Sequence, residues 1–239
     1  MLSKQTIDNL EQYRQHYAQK GWVRIENYFE KDTAEQFHQR VVKLAQNTQD
    51  WHMATLVEGK AFIAKVNDYL GQPPQERSLF IAQLLRYAQQ HDFQYFYEFI
   101  RLLGGDANPQ DALIELTNAI GSTQNIDILK QVVDEPSIEH IDAQLTCYKP
   151  GHFLKHHCDE GFQSSPKRKV AYVVGLSKDW QPDWGGLLHF QNGQGKIIES
   201  LTPTFNCITL FTVPTPHFVS QVTNYCPDPR FSVTGWLWE

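Results

Sequence analysis

Residues 207–238, CITLFTVPTPHFVSQVTNYCPDPRFSVTGWLW, contain three short β-rich runs separated by proline turns. The runs are Cys207–Phe211, Phe218–Val222 and Arg230–Trp238, and the turns are Pro214-Thr215-Pro216 and Pro227-Asp228-Pro229. Short runs of branched and aromatic residues between such turns are typical of β-strands. The stretch therefore predicts consecutive strands of an antiparallel sheet.

The same pattern of strand-like runs separated by turns extends back to Pro136. Further strand-like runs are Ile141–Tyr148, Val170–Leu176, Gly186–Phe190 and Lys196–Ser200, separated by the turn sequences Lys149-Pro150-Gly151, Asn192-Gly193 and Thr202-Pro203. Seven or eight short strands at this spacing predict an antiparallel sandwich or a jelly roll (double-stranded β-helix) over residues 136–239. The mouth of such a fold lets side chains from different strands converge.

Before residue 136, helical patterns predominate. Residues 5–20 predict a helix ending at Gly21, residues 22–25 alternate like a strand, and residues 51–66 predict extended or mixed structure. Asp32 and Glu35 resemble a capping box that opens a helix, whose apolar residues Ala34, Phe37, Val41, Leu44 and Ala45 share one face.

Three more helices are predicted downstream. Apolar residues at helical spacing predict a helix over 78–103, interrupted near Asp92. Asn108-Pro109 predicts the start of a helix that ends at Gly121, and a shorter helix follows over 125–133. The fold class is therefore α+β, a single domain over 1–239 whose mainly helical part, 1–135, packs on one sheet of the jelly roll.

One aromatic stripe falls in the predicted 78–103 helix. It consists of Phe93, Tyr95, Phe96, Tyr97 and Phe99. Such a stripe can line a ligand site, but packing in a core is the commoner use, so we predict that it packs against the sheet.

The composition is that of a globular protein: 41% of the 239 residues are hydrophobic and 20% are charged. The formal net charge of -6 gives no reason to expect nucleic acid or an anionic membrane as a partner. The N-terminal sequence lacks the apolar region of a signal peptide, which predicts a cytoplasmic protein. The four cysteines show no CxxC spacing, so we expect free thiols and no zinc site.

The sequence LKHHCDEG, residues 154–161, places a histidine and a carboxylate two positions apart. In an extended segment His157 and Asp159 point to the same face and can bind one ion, whereas His156 faces away with Cys158. His217, just after Pro214-Thr215-Pro216, is the best-placed third ligand. Taken singly, each of these histidines is more often a surface or hydrogen-bonded residue than a ligand.

Two histidines and one carboxylate are typical of non-haem iron(II) oxygenases, which leave coordination positions open for an oxo acid and O2. A catalytic zinc site is the competing chemistry, but the helical HExxH pattern of zinc proteases is absent.

The last predicted strand, Arg230–Trp238, has an unusual polar face. Alternation places Arg230, Ser232, Thr234 and Trp236 on one side of it. A guanidinium, two hydroxyls and a ring suit the wall of a pocket for a small dianion, because arginine binds carboxylates through two parallel hydrogen bonds. The alternative is an edge-strand arginine paired with a surface acid.

Four segments in this half of the chain resemble the prolyl-hydroxylase-like branch of the Fe(II)/2-oxoglutarate-dependent dioxygenases. They are YKPGHFLKHHCDE (148–160), KRKVAYVVGLSKDWQPDWGGLLHF (167–190), CITLFTVPTPHFVSQV (207–222) and RFSVTGWLW (230–238). The resemblance covers residues 140–239, and GWVRIENYF (21–29) is similar to the start of the family's core.

The resemblance implies a function for each candidate residue. It makes His157, Asp159 and His217 the iron(II) ligands and Arg230 the partner of the distal carboxylate of 2-oxoglutarate. Tyr148 corresponds to a tyrosine that helps hold 2-oxoglutarate; Thr234 and Trp236 line the same pocket, and Arg168 lies near its mouth. It also implies O2 as co-substrate and ascorbate as reductant.

One position departs from the family pattern. Gly175 stands where many relatives have a second tyrosine, so we expect a roomier pocket whose carboxylate depends more on Tyr148 or Ser232. The reaction implied by the resemblance is hydroxylation, with release of succinate and CO2. A prolyl residue of a protein or peptide is the favoured substrate. The alternatives are a small-molecule hydroxylase and a non-catalytic metal-binding jelly roll.

Overall fold

A computed structural model describes residues 1–91, 93–105, 107, 110–159 and 167–239. The α-helices are α1 (Lys4–Asp8), α2 (Leu10–Lys20), α3 (Lys31–Ala45), α4 (Val66–Leu70), α5 (Pro74–Gln90), α6 (Ile114–Gly121) and α7 (Thr123–Val133). The strands are β1 (Trp22–Glu26), β2 (His52–Val57), β3 (Lys60–Lys65), β4 (Tyr95–Leu103), β5 (His140–Ile141), β6 (Ala143–Tyr148), β7 (Phe153–His157), β8 (Arg168–Gly175), β9 (Leu188–Gln191), β10 (Ile197–Leu201), β11 (Cys207–Thr212), β12 (His217–Val219) and β13 (Arg230–Trp238).

The strands form one curled antiparallel sheet with the order β1-β11-β8-β13-β6-β4-β7-β12-β9-β10. Strand β4 lies at the bend, because it pairs with β6 on one side and with β7 near its start. The hairpin of β2 and β3 also pairs with β4. This curled sheet and the helical N-terminal part confirm the predicted α+β class with a jelly-roll core.

The helices cover one face of the sheet. Buried residues of α3, α6 and α7, among them Phe37, Leu116 and Leu129, share a hydrophobic core with strand residues such as Val233. Phe231, Val233 and Leu237 point into this core, as the alternation of β13 predicts. The opposite face of β13 is therefore left to line the inside of the curl.

Strand β4 replaces the second half of the helix predicted over 78–103, so that prediction was wrong beyond Gln90. Residues Phe96, Phe99, Ile100 and Leu103 fit a helical spacing by coincidence. Between residues 95 and 103 the chain is hydrogen-bonded to β2 and β6, and this tertiary pairing outweighs a local helical pattern.

Two helix starts differ from the prediction. Helix α3 has Glu30 at its N-cap, without a side-chain hydrogen bond, so Asp32 lies inside the first turn and the capping box was wrong. In that position the negative charge of Asp32 still interacts favourably with the positive end of the helix dipole. Helix α6 ends at Gly121 as predicted, but Asn108-Pro109 lies outside the described residues, and a 3-10 turn over Asp111–Leu113 comes before it.

The buried cysteines Cys147, Cys207 and Cys226 are free thiols, as predicted. Within the described part of the chain, no helix is long and apolar enough to cross a bilayer.

Candidate active site

His157, Asp159 and His217 meet inside the curl. His157 ends β7 and His217 begins β12, and the two residues lie opposite each other in the ladder between these strands. The carboxylate oxygens of Asp159 lie 3.4 Å from Nε2 of His157 and 3.6 Å from Nε2 of His217. One ligand atom from each residue lies within 4.8 Å of the others, so the three can hold one metal ion.

Backbone carbonyls fix the orientation of both imidazoles. Nδ1 of His157 lies 2.9 Å from the carbonyl oxygen of Lys155, and Nδ1 of His217 lies 2.8 Å from that of Thr215. A carbonyl oxygen can only accept, so Nδ1 carries a proton in each ring, and Nε2 is the nitrogen that faces Asp159 and could bind a metal ion. Metal-binding histidines commonly have this arrangement.

The charge states also suit a cation. Burial alone would raise the pKa of Asp159, but the hydrogen bond from His157 and the charges of His217 and His157 hold it below its ordinary value. Burial, followed by repulsion from His157, lowers the pKa of His217 to about 4. A carboxylate beside a neutral imidazole is the protonation state that a metal ion requires.

The three residues line a cavity of about 650 Å³ that also contains Arg230. The size is typical of a site for small ligands. Most of its walls are aromatic or aliphatic, with side chains from β4, β6, β7, β8, β11, β12 and β13. The cavity therefore joins the triad to a buried guanidinium in one apolar enclosure.

Arg230 is a buried cation that no acidic side chain of the described residues neutralises. Its side chain is 4% exposed, and in the described part of the chain its Nε has no hydrogen-bond partner. Burial lowers its pKa, and the only charge interaction that offsets this comes from Tyr148, whose ring lies 5.2 Å from the guanidinium carbon. An unpaired buried charge is costly, so the arrangement favours a bound anion.

The turn formed by Gly185 and Gly186 makes room for Arg230. A Cβ atom on Gly186 would lie 3.1 Å from Cδ of Arg230, and Gly186 has a φ of +66°, which favours glycine. Gly185 is packed just as tightly, because a Cβ there would lie 2.0 Å from the carbonyl oxygen of Gln221. This turn is therefore structural and shapes the wall behind the guanidinium.

Not all of the other predicted pocket residues line the cavity. Tyr148, Thr234 and Trp236 line the cavity with Arg230. Burial raises the pKa of Tyr148 far above its ordinary value, so its hydroxyl keeps its proton. Ser232 is not brought into this cavity: its hydroxyl lies 2.8 Å from that of Thr146, and it borders a separate void of about 20 Å³.

The expectation of a roomier pocket at Gly175 was wrong. A Cβ atom on Gly175 would lie 2.0 Å from the carbonyl oxygen of Thr204, so backbone occupies the space where a side chain would start. Arg24 of β1 holds this loop by donating to the carbonyl of Thr202 at 2.5 Å and to the hydroxyl of Thr204 at 2.6 Å. The sequence offered no signal for this long-range contact.

Gly175→Ala is expected to destabilise the fold by about 2 kcal/mol, because the Thr204 backbone would have to move. Gly193→Ala is the matched control: nothing lies within 4 Å of its Cβ position, so its free energy of unfolding should stay within about 0.5 kcal/mol of wild type. Urea denaturation measures both. Equal stability of the two variants would contradict the close contact.

Sequence reasoning missed three cavity-lining residues, Phe93, Tyr95 and Tyr97. The prediction that the stripe packs in the core was wrong for Phe93 and Tyr95, whereas Phe96 and Phe99 are buried and Tyr97 packs against a hydrophobic cluster while also lining the cavity. Once the segment is treated as a strand, the alternation of Tyr95 and Tyr97 with Phe96 gives the signal.

Arg168 also lines the cavity. Its guanidinium carbon lies 3.8 Å from the ring centre of Trp236, within the range of a cation–π interaction. Trp236 therefore supports a second arginine in the same enclosure as Arg230.

Comparison with known proteins agrees with this site. Residues 143–238 match the sequence model of the 2OG-Fe(II) oxygenase superfamily, and no curated protein sequence matches the chain. A prolyl-4-hydroxylase from Pseudomonas putida is 18% identical, with 96% of this chain and 98% of that one covered and a TM-score of 0.59. A prolyl hydroxylase from Trichoplax adhaerens, solved with a hypoxia inducible factor peptide fragment, is 18% identical over 100% of this chain and 94% of that one, with a TM-score of 0.65. The non-heme alpha-ketoglutarate-dependent epimerase SnoN from nogalamycin biosynthesis is 9% identical over 98% and 83%, with a TM-score of 0.59.

The matched stretch is the part of the chain that carries the His-Asp-His cluster and Arg230. The chain shares its fold with the two prolyl hydroxylases, in agreement with the resemblance seen in its sequence. The family implies Fe(II), 2-oxoglutarate and O2.

Proposed function

We propose that the protein hydroxylates a prolyl residue of a protein or peptide substrate, with release of succinate and CO2. The observation that carries the proposal is the buried, unpaired guanidinium of Arg230 in the same cavity as the three candidate metal ligands. A dicarboxylate that reaches from Arg230 to the metal would supply the missing anion.

In this proposal His157, Asp159 and His217 hold Fe(II), and Arg230 binds the distal carboxylate of 2-oxoglutarate. Together with O2, the bound iron and 2-oxoglutarate supply the oxidant that inserts oxygen into a C–H bond. The protein itself positions the reacting groups and excludes water from the cavity. The carbonyls behind both imidazoles keep Nε2 aimed at one point, and the apolar walls strengthen the pairing of Arg230 with its carboxylate.

The remaining pocket residues support the co-substrate. The protonated hydroxyl of Tyr148 can donate to a carboxylate, and the hydroxyl of Thr234 can add a second hydrogen bond. Trp236 lines the cavity beside them. Ser232 borders the neighbouring void and lies outside the cavity. The free cysteines are compatible with the reducing environment of the cytoplasm, where we place the protein.

Two observations favour a peptide over a small metabolite. Besides the triad and Arg230, the cavity is lined by aromatic residues of β4 and by Leu56 and Ala61 of the β2–β3 hairpin, an apolar surface that a peptide side chain could contact. Two of the compared structures are prolyl hydroxylases, one of them solved with a peptide. The likeness to the epimerase SnoN, from nogalamycin biosynthesis, keeps a small-molecule substrate as the competing function.

The test incubates the enzyme with Fe(II), 2-oxoglutarate, ascorbate and a protein extract in air. We expect succinate release together with a mass gain of one oxygen atom on proline in at least one protein. An Asp159→Ala variant is the control and should produce neither. Succinate release that rises only with added amino acids or metabolites, and never with proteins, would replace the proposal by the small-molecule alternative.

A further inference from the structure

An aromatic wall runs along one side of the cavity. It consists of Phe93, Tyr95 and Tyr97, whose ring centres follow one another at 5.5 and 5.6 Å. At one end Tyr97 stacks on Tyr148 at 5.3 Å, which in turn borders Arg230. At the other end Phe93 lies 5.3 Å from the ring of His157. The wall therefore connects the guanidinium to the triad with continuous ring surface.

The two ends of the wall differ in their surroundings. Tyr97 and Tyr148 lie beside Arg230, where the proposed function places 2-oxoglutarate. Tyr95 pairs with Leu154 of β7. Around it, Leu56 and Ala61 line the same cavity and lie opposite each other in the β2–β3 hairpin.

Among the described residues, no charged side chain lines the cavity beside Phe93 and Tyr95 on the hairpin side. Arg168, the cation on this enclosure besides Arg230, belongs to β8 and is separated from β4 by β13 and β6. Its guanidinium is stacked on Trp236, away from the hairpin. A charged group placed against Phe93 and Tyr95 would lose water without gaining a counter-ion there, whereas an apolar group would gain by burial.

We propose that Phe93 and Tyr95 form a substrate subsite that receives an uncharged, apolar side chain next to the hydroxylated residue. This inference rests on the proposed function. Tyr95 has a second role in this subsite. Tyr95 lines the cavity, so its hydroxyl can donate to a substrate carbonyl beside that side chain. Burial, with a smaller effect of Tyr97, raises the pKa of Tyr95 to about 12, which keeps the donor proton in place.

The test uses three synthetic peptides that differ only in the residues on both sides of one central proline: leucine, glutamine or glutamate. The readout is peptide-dependent succinate release above the rate without peptide. The wild type should show an apparent KM for the leucine peptide about tenfold or more below that for the glutamine peptide, because leucine and glutamine differ little in size but strongly in hydration. The glutamate peptide should be poorer still.

Tyr95→Arg distinguishes recognition from a structural role, because it should reverse the preference. The apparent KM of the glutamate peptide should fall by roughly fivefold or more, and that of the leucine peptide should rise. Tyr95→Phe keeps the ring and should raise the KM of every peptide about threefold, the loss of one hydrogen bond. Tyr225→Phe is the matched control, since Tyr225 is 65% exposed and lies outside the cavity lining.

Equal KM values for the leucine and glutamine peptides, no stimulation by any peptide, or an unchanged order of preference in Tyr95→Arg would each overturn the inference. These outcomes are separable from failure of the proposed function. Succinate release without peptide depends on the triad and on the residues that hold 2-oxoglutarate, and needs neither Phe93 nor Tyr95. If that basal release is present and peptide selection is absent, the subsite is wrong while the dioxygenase chemistry stands.

Discussion

His157→Ala should abolish 2-oxoglutarate turnover, whereas alanine at the neighbouring histidine should leave it intact. The loss in succinate formation is expected to reach roughly 10³-fold or more, because the change leaves two of three ligands to hold the catalytic ion. Metal content after dialysis should fall in parallel. Both measurements are made on the purified full-length chain.

His156→Ala is a stringent control because the two histidines are adjacent in the same strand. His156 is exposed and bonded to the side chain of Gln191, whereas His157 faces Asp159 and His217. Near-normal succinate release by the His157 variant, or an equal loss in both variants, would contradict the ligand assignment.

Arg230→Ala should raise the apparent KM for 2-oxoglutarate by about 10²-fold or more. This change corresponds to ~3 kcal/mol of lost binding free energy from a buried charge-assisted pair. The turnover number at saturating 2-oxoglutarate should fall much less, because the triad is unchanged. Arg230→Lys should be intermediate, since lysine keeps the charge but loses the planar fork.

Arg40→Ala is the surface comparison for this series. Arg40 forms an exposed ion pair with Glu115 at 2.8 Å, remote from the cavity lining, and its loss should leave the KM unchanged. A normal KM in Arg230→Ala would rule out Arg230 as the carboxylate partner. It would also leave the burial of an unpaired guanidinium without a function.

The C-terminal half of the fold was predictable because its signals are local. Proline and glycine turns mark the ends of β6, β9, β11 and β13, and the alternation in β13 separates core residues such as Val233 from cavity residues such as Arg230. The i, i+2 spacing of His157 and Asp159 likewise needs only an extended backbone to become a shared face.

Features that depend on distant partners were not predictable. Strand β4 carries apolar residues at spacings that suit both a helix and a strand, and its pairing with β2 and β6 decides between them. The same ambiguity hid Tyr95 and Tyr97 from the site. At Gly175 the sequence suggested empty space. The carbonyl of Thr204 fills that space, and Thr204 belongs to the loop that Arg24 anchors.

The pairing of His157 with His217 has a mechanical consequence. These residues stand sixty positions apart in the sequence (157 to 217) yet face each other across the β7–β12 ladder, which is short and irregular. A cation bound between them would act as a removable cross-link that closes the barrel at this seam. Occupancy of the site would then add to the free energy of unfolding by mass action, about 2.7 kcal/mol at a free ion concentration a hundred times Kd.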